Sequence, residues 1–316
     1  MKHFLAALLL VPTLALAQYP NKPVRMIIPF APGGASDFVG RIMQPKMVEL
    51  LGQQLVVENK PGAAGNIGAE AAARSAPDGY TIFLGNVGSI AINPGVYPKL
   101  SIAPTKDFIA VNQVVDVPSA LIVHPTLPVS SIREIVDYAK ANPGKLSVGT
   151  SGVGGPQDVA ARKFMQMTGT DMLNVAYKGG APALADLLGG QIDLMFETSP
   201  TAVPYAKSGK LKALAVTSDK RLSTMADVPT VAEAGIAGYR AVGWMGLAAP
   251  AGTPPAIIAR LNEQVQNLLN TSDVQKQIAD LSLDVAGGSA ASFVTFVRKE
   301  SDDYAKFVKD SNITPQ

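Results

Sequence analysis

The feature that most constrains this chain is the regular alternation of short apolar runs with longer stretches of helical periodicity. Val24–Ile28 is the first such run, and a helical pattern over Phe38–Leu51 follows it. The same alternation returns further on, for example at the apolar runs Tyr80–Leu84 and Leu146–Gly149. Strands that alternate with helices pair in parallel, because each helix brings the chain back to the end of the sheet where the previous strand began. The pattern therefore predicts an α/β fold with mainly parallel sheets and covering helices.

The first 17 residues, MKHFLAALLLVPTLALA, have the features of a secretory signal peptide. Lys2 gives a basic start, an apolar stretch follows, and Ala15–Ala17 has the small-x-small pattern of a cleavage site. The apolar stretch is too short to cross a bilayer, and no cysteine follows it that could carry a lipid. We therefore expect a mature chain from about Gln18 that is exported to the periplasm and is not lipid-anchored.

Composition excludes several classes of protein. A chain of 316 residues is longer than one compact core usually serves, so two domains are expected. There are no cysteines, and His124 is the one histidine after the predicted signal peptide, so the sequence predicts no disulfide, no metal site and no cofactor. A formal net charge of +2 spread along the chain argues against a nucleic-acid partner, which requires a concentrated basic surface.

Two series of strand–helix units predict two similar lobes. The last two helical patterns, Ala256–Asn270 and Ala291–Lys309, have no strands of their own to cover, so we expect them to pack on the first lobe. The chain then crosses between the lobes twice, near Val117–Ala120 and near Arg240–Leu247, which predicts a hinged clamshell with the ligand between its halves. No internal repeat is apparent. The predicted boundaries are residues 18–118 and 246–316 for lobe 1 and residues 119–245 for lobe 2.

Four stretches rich in Gly, Ser or Thr follow predicted strands, at the end of the sheet where α/β proteins bind ligands. They are Pro29–Asp37, Asn86–Ser89, Thr150–Pro156 and Tyr177–Gly180. Each offers main-chain N–H groups or hydroxyls near a predicted helix start, where the free amides and the helix dipole favour an anion. Hydrogen-bond donors outnumber reactive side chains, so the sequence predicts a site that holds an anion and does not transform it.

Single residues in these stretches also have plainer interpretations. A Gly-Gly pair in a turn most often serves backbone geometry. Lys178 could pair with a bound carboxylate or lie solvated at a helix start. Asp37 suits a helix cap better than a ligand contact, because a second carboxylate repels an anion. Glu197 could meet a polar substituent of the ligand or form an ion pair near the hinge.

Motifs for catalysis are missing from the sequence. Ser151 does not lie in a Gly-x-Ser-x-Gly elbow, because Val153 occupies the place of the last glycine. Neither a Gly-x4-Gly-Lys phosphate loop nor a Gly-x-Gly-x-x-Gly turn after the first strand occurs. A carboxylate acid–base pair remains open, so the alternative is a secreted hydrolase or lyase that uses Asp37 or Asp158 on a carboxylate.

Four segments carry a family resemblance, in this order: YPNKPVRMIIPFAPGGASD, LGQQLVVENKPGAAGNIGAEAAA, PDGYTIFLG and AYKGGAPALADLLGGQIDLMF. Together they resemble the Bug proteins, the TctC-type extracytoplasmic solute-binding receptors of tripartite tricarboxylate transporters. The resemblance runs over essentially the whole mature chain. It implies a two-lobed, type II periplasmic-binding-protein (Venus flytrap) fold without catalytic activity. It further implies that the loops Pro29–Asp37 and Ser151–Pro156 hold a small carboxylate, largely through main-chain N–H groups and ordered waters.

Two positions depart from the family pattern. Asp158 stands where many relatives have histidine, and Ala176 stands where they often have proline. Both lie near the predicted ligand and so bear on which solute is bound. The expected partners are a small organic carboxylate and the membrane subunits of the transporter, although a sensor domain could read the same closed form; the protein itself is expected to be a monomer. The residues predicted to bind the ligand are Phe30, Ala31, Gly33, Gly34, Ala35, Ser36, Asp37, Gly88, Ser89, Ser151, Gly152, Val153, Gly154, Gly155, Pro156, Tyr177, Lys178 and Glu197.

Overall fold

The structure, a computed structural model, describes residues 19–311 and residue 313, so the predicted signal peptide lies outside the described residues. Among the described helices, none combines the length and the apolar character that a membrane crossing requires. The strands are β1 (Val24–Ile28), β2 (Leu55–Asn59), β3 (Thr81–Asn86), β4 (Phe108–Val117), β5 (Ser119–Val123), β6 (Ser147–Thr150), β7 (Leu173–Ala176), β8 (Leu194–Thr198), β9 (Lys212–Val216), β10 (Gly243–Pro250) and β11 (Asp284–Val285).

The strands form two sheets with the same topology. Sheet 1 has the order β11-β4-β10-β3-β1-β2, and sheet 2 has the order β7-β6-β8-β5-β9. In sheet 1, β1 pairs in parallel with β2 and β3, and β10 lies antiparallel between β3 and β4. In sheet 2, β6 pairs in parallel with β7 and β8, and β5 lies antiparallel between β8 and β9. The predicted two-lobed α/β fold is therefore confirmed.

Helices cover both sheets, and the last three return to the first lobe. The helices are α1 (Ala35–Leu51), α2 (Asn66–Ala73), α3 (Asn93–Val96), α4 (Pro104–Asp107), α5 (Ile132–Ala141), α6 (Pro156–Thr168), α7 (Gly180–Leu188), α8 (Ser199–Lys207), α9 (Pro255–Leu269), α10 (Ser272–Asp280) and α11 (Ala290–Asp310). Met43 of α1, Leu261 of α9 and Ile278 of α10 share one buried cluster with strands of sheet 1. Phe293 of α11 packs with Trp244 in a second buried cluster, most of whose members belong to the same lobe. The C-terminal helices thus cover lobe 1.

The chain crosses between the sheets at two places. The first crossing is Pro118, which lies between the last residue of β4 and the first residue of β5. The second precedes β10, whose pairing with β4 begins at Gly243 opposite Val117. Strand pairing therefore places Gly243–Met245 in sheet 1, three residues before the predicted boundary at 246. The predicted second crossing, near Arg240–Leu247, overlaps this strand, whose sequence GWMGLAAP is buried between β3 and β4.

Candidate functional site

The first glycine-rich loop joins β1 to α1 in lobe 1. The helix begins at Ala35, three residues earlier than the sequence pattern indicates, and Gly34 is its N-cap residue. Gly33 has a φ of +84°, a conformation that favours glycine. Within the described chain, the amides of Gly34, Ala35 and Ser36 donate to no protein acceptor. The loop therefore presents three unpaired N–H groups at the start of a helix, which suits an anion.

Asp37 supports this loop from inside the protein. Its Oδ2 accepts hydrogen bonds from the Gly33 amide at 3.0 Å and from Arg41 Nε at 2.9 Å, and its Oδ1 accepts from Asn59 Nδ2 at 3.1 Å. Burial opposes ionisation of this carboxyl, but the hydrogen bonds from Arg41, Gly33 and Asn59 outweigh it and hold its pKa below the usual range. Asp37 is thus a support for the loop; the N-cap itself is Gly34. Because the Gly33 amide is used by Asp37, it is not free for a ligand.

The second glycine-rich loop, in lobe 2, is built in the same way. Asp158 Oδ2 accepts from the Gly154 amide at 2.7 Å, and Oδ1 accepts from Arg162 Nε at 2.8 Å and from the Asn174 side-chain amide. Asp158 is 0% exposed. The Gly155 amide donates to the Gly152 carbonyl at 3.0 Å. The amides of Gly154 and Gly155 are therefore occupied by the protein's own acceptors.

The two loops share the nine-residue pattern Gly-Gly-x-x-Asp-x-x-x-Arg, at 33–41 in lobe 1 and 154–162 in lobe 2. In each lobe the glycines precede the first turn of a helix, the arginine lies one turn further, and an asparagine of the neighbouring parallel strand completes the cluster. The expectation that the chain has no internal repeat is therefore wrong. Two lobes with equivalent sheets hold equivalent loops by the same device.

The lobe 2 loop lies against lobe 1. Tyr97 Oη donates to the Val153 carbonyl at 3.4 Å. A Cβ added at Gly154 would be 2.5 Å from Val96 Cγ2, and one added at Gly88 would be 3.3 Å from Pro156 Cδ. Val153, Gly154, Pro156 and Gly88 of the predicted set thus lie at the contact between the lobes, where small residues let the backbones approach closely.

Contacts in lobe 1 link this interlobe contact to the first loop. A Cβ added at Gly65 would be 3.2 Å from Phe30 Cζ and 3.3 Å from Ser89 Cβ. Ser89 follows Gly88, which contacts the lobe 2 loop, and the Phe30 carbonyl accepts from Asn59 Nδ2 at 3.0 Å. The two glycine-rich loops therefore lie on the same side of the molecule. Ala31, in the first loop, is exposed.

Three predicted hydroxyl groups already have protein partners. Ser89 Oγ accepts from the Asn86 amide at 3.1 Å and is fully buried, and Ser151 Oγ donates to Gln157 Oε1. Tyr177 Oη donates to Asp186 Oδ2 at 2.7 Å; burial and this hydrogen bond raise the pKa of Tyr177 to about 12. These hydroxyls are turned toward the protein. Ligand contact through the backbone of the same residues stays a prediction, as does a contact to the exposed Lys178.

Glu197, the next-to-last residue of β8, has one carboxyl oxygen without a partner. Oε1 accepts from Thr198 Oγ1 at 2.8 Å and from Thr201 Oγ1, whereas Oε2 is enclosed and has no hydrogen-bond partner in the described chain. Burial raises the pKa of Glu197, although the hydrogen bonds from Thr201 and Thr198 and the nearby amide of Gln157 oppose the shift. The ion pair considered for Glu197 near the hinge is not found among the described ion pairs.

Sequence reasoning missed the side chains that shape the two loops. Arg41 and Arg162 lie four residues after the aspartates they contact, and this equal spacing was a readable signal. Asn59 and Asn174 come from other strands and could not be paired with the aspartates without the sheet register. Gln157 sits between Ser151 and Glu197 and was predicted only as part of a helix.

Comparison with known proteins assigns the chain to a family. A family model described as "Tripartite tricarboxylate transporter family receptor" (TctC) matches residues 39–313. The chain belongs to the TctC family. The solved periplasmic binding protein BugD is 35% identical over 94% of this chain and 100% of BugD, with a TM-score of 0.87. The predicted resemblance to the Bug and TctC proteins is thereby confirmed.

Two solved relatives are described with ligands. An R. palustris protein with adipate is 34% identical to this chain. The match covers 94% of this chain and 100% of the R. palustris chain, with a TM-score of 0.90. MatC from Rhodopseudomonas palustris, with bound malate, is 32% identical over 92% of this chain and 100% of its own, with a TM-score of 0.85. These TctC relatives are binding proteins and not enzymes, so the hydrolase or lyase alternative is wrong. The structure agrees, because the carboxyl groups of Asp37 and Asp158 are occupied by internal hydrogen bonds.

Proposed function

We propose that this TctC protein is a periplasmic receptor, active as a monomer, that captures a small organic carboxylate between its lobes. It delivers the ligand to the membrane subunits of a tripartite tricarboxylate transporter. Family membership supports the transport role, and the relatives with adipate and with malate support a carboxylate ligand. Closure on the ligand is the signal, since a ligand that touches both lobes shifts the open–closed equilibrium by its differential affinity.

The observation that carries the proposal is the set of unpaired amides at the start of α1. The N–H groups of Gly34, Ala35 and Ser36 have no protein acceptor in the described chain, while Asp37 holds their loop in place. In lobe 2, the first-turn amides of Gln157 and Asp158 are likewise without a protein acceptor in the part of the chain that the structure describes. Several hydrogen bonds to a charged group, at about 1.5–3 kcal/mol each, can supply the roughly 8 kcal/mol of a micromolar complex after the cost of association.

A Gly34→Val variant tests this assignment. Gly34 has a φ of −98°, which valine accepts, and the one atom within 4 Å of an added Cβ is the Ala31 carbonyl oxygen at 3.9 Å. The branched side chain therefore stands in open space in front of the amides and leaves the fold intact. We expect calorimetry with mono-, di- and tricarboxylates to find a ligand for the wild type, and the variant to lose at least about 100-fold in affinity because three donors are blocked.

Gly189→Val is the matched control. Gly189, the C-cap residue of α7, has a φ of −84°, and an added Cβ would meet its nearest neighbour at an ordinary 3.5 Å. The Gly189→Val variant should unfold cooperatively and bind carboxylates with wild-type affinity. Near wild-type affinity of Gly34→Val would remove the lobe 1 loop from the site. Failure of the wild type, refolded without co-purified acid, to bind any carboxylate would refute the receptor function.

A further inference from the structure

We propose that Asn93 is a positioning residue for the lobe 1 loop, and that it acts through the strained turn Gly62–Gly65. This role rests on the proposed function, in which the free amides at the start of α1 bind a carboxylate. Asn93 keeps those amides in their binding geometry, although its own hydrogen bonds go to the turn and to the start of α2.

The turn Gly62–Gly65 holds its backbone in a conformation that most residues avoid. All four residues have a positive φ, which is +126°, +47°, +53° and +93° in chain order. Glycine adopts such angles readily, but in Ala63 and Ala64 they crowd the Cβ against the backbone and cost free energy. Ser282 is the one other non-glycine residue with a positive φ in the part of the chain that the structure describes. Two consecutive strained alanines persist only where the surrounding structure holds them.

Asn93 supplies this support from α3. Its Nδ2 donates to the Ala64 carbonyl at 2.9 Å and to Asn66 Oδ1 at 2.6 Å, and the residue is 0% exposed. Its Oδ1 is buried and has no hydrogen-bond partner among the described residues. The turn therefore sets the orientation of this amide, because the reverse orientation would place the Asn93 oxygen against the Ala64 carbonyl oxygen.

The turn and the start of α2 pack against the residues that open the lobe 1 loop. A Cβ added at Gly65 would be 3.2 Å from Phe30 Cζ, and one added at Gly68 would be 2.7 Å from Pro29 Cα. If the two alanines relaxed to negative φ, Gly65 would move and this contact would be lost. The amides of Gly34–Ser36 follow Phe30 closely in the chain, so they depend on the shape of the turn.

The helix that carries Asn93 also contacts lobe 2. Val96, one turn after Asn93, lies where a Cβ added at Gly154 would be 2.5 Å from its Cγ2, and Tyr97 Oη donates to the Val153 carbonyl. Lobe 2 therefore rests on the same four-residue helix from which Asn93 holds the turn.

The first test is calorimetry on Asn93→Ala, with whichever of adipate, malate and citrate binds the wild type most tightly. We expect the affinity to fall about 10-fold or more, because a loop that is no longer held in place must be ordered on binding.

Asn112→Ala is the matched control. Asn112 is also 0% exposed, donates from Nδ2 to a carbonyl, that of Gly288 at 2.8 Å, and has an Oδ1 without a partner in the described chain. This variant should lose stability in urea unfolding as Asn93→Ala does, but it should bind with wild-type affinity.

Relief of the strain should rescue the Asn93 variant. Ala64→Gly lets the turn keep its positive φ without the support of Asn93. In the double variant Asn93→Ala/Ala64→Gly, most of the lost affinity should return, measured against the Ala64→Gly single variant. A side chain that only fills buried space could not be rescued in this way.

Hydrogen exchange reports on the turn itself. The amides of Gly65 and Asn66 donate to the carbonyls of Gly62 and Ala63. They should exchange faster in Asn93→Ala than in the wild type and should regain protection in the double variant.

The outcomes separate this role from the receptor function. Wild-type affinity in Asn93→Ala, an equal loss in Asn112→Ala, or no recovery in the double variant would refute the positioning role while the receptor function stands. If Asn93→Ala does not unfold cooperatively, Asn93→Ser, which leaves a polar group in the buried space, takes its place with the same expected loss. A wild type that binds no carboxylate refutes the receptor function, and hydrogen exchange then decides whether Asn93 holds the turn.

Discussion

At the scale of single residues, Asp158 illustrates how a buried charge can serve a loop and not a reaction. Its carboxylate accepts from Gly154, Arg162 and Asn174 and is fully buried. We expect Asp158→Ala to lower the free energy of unfolding by about 2–4 kcal/mol, because it leaves an amide and a guanidinium group without their acceptor. Urea unfolding measures the loss. Asp137→Ala, which removes an exposed carboxylate 3.8 Å from Arg133, should cost less than about 1 kcal/mol. Equal losses would show that the Asp158 contacts contribute no more than a surface ion pair.

Asp37 makes stability depend on acid pH. Its pKa is lowered in the folded state, where hydrogen bonds from Arg41, Gly33 and Asn59 outweigh the burial that opposes ionisation. As pH falls, the Asp37 carboxyl therefore becomes protonated at a higher pH in the unfolded chain than in the folded protein. The stabilisation is present above the ordinary carboxyl pKa and is lost as pH falls through the lowered value. We expect wild type to be more stable than Asp37→Asn at pH 7, with the difference in unfolding free energy narrowing toward pH 3. A difference that stays constant over this range would contradict the assignment.

At the scale of elements, short sequence motifs at helix starts correctly predicted those helices whose first turn is fixed by neighbouring residues in the chain. Thr253-Pro254-Pro255 indicates the start of α9, and the capping pattern at Ser131 and Glu134 indicates α5, where Ser131 Oγ accepts from the Glu134 amide at 3.2 Å. Helix α8 was not predicted, because Pro204 lies inside it. Strand β10 overlaps the connection predicted near Arg240–Leu247, but its place between β3 and β4 follows from strand pairing that local sequence does not show.

In the candidate site, too, some features could be predicted from local sequence and others could not. Glycine-rich turns after β1 and β6 could be found from the sequence, because a strand, a flexible turn and a helix start are local features. The partners of those turns could not, since Asn59 and Asn174 reach them through the sheet register. The unpartnered oxygen of Glu197 also depends on which threonines surround it in three dimensions. Long-range pairing, and not residue type, sets these contacts.

At the scale of the whole molecule, the lobes meet on two sides. Tyr97 and Val96 of lobe 1 contact the Val153–Gly154 loop. Elsewhere, the buried Ser199 Oγ of lobe 2 donates to the Ser282 carbonyl of lobe 1 at 2.7 Å. Val159 of lobe 2 also joins the buried cluster that contains Val96 and Trp244 of lobe 1, whereas the other buried clusters belong to one lobe each. A change at one of these contacts should alter closure more than it alters folding.

Gly154→Ala tests this expectation. The added methyl group would lie 2.5 Å from Val96 Cγ2, and a branched, buried valine cannot turn aside, so the lobes must separate. We expect ligand affinity to fall about 10-fold or more, because part of the binding free energy is used to close the lobes against the added methyl group. Small-angle scattering with saturating ligand should show a larger radius of gyration than for the liganded wild type.

A matched glycine separates the clash from backbone strain. Gly154 has a φ of +73° and Gly169 a φ of +63°, but an added Cβ at Gly169 would meet nothing within 4 Å. Both alanine variants carry a similar penalty of about 1 kcal/mol for a left-handed residue, whereas the steric conflict with the other lobe occurs at Gly154 alone. Adding Val96→Ala to Gly154→Ala should recover much of the affinity, and the coupling between the two changes measures the interlobe contact. If Gly169→Ala weakens binding as much as Gly154→Ala, or if Val96→Ala gives no recovery, the effect comes from loop strain and not from the contact between Gly154 and Val96.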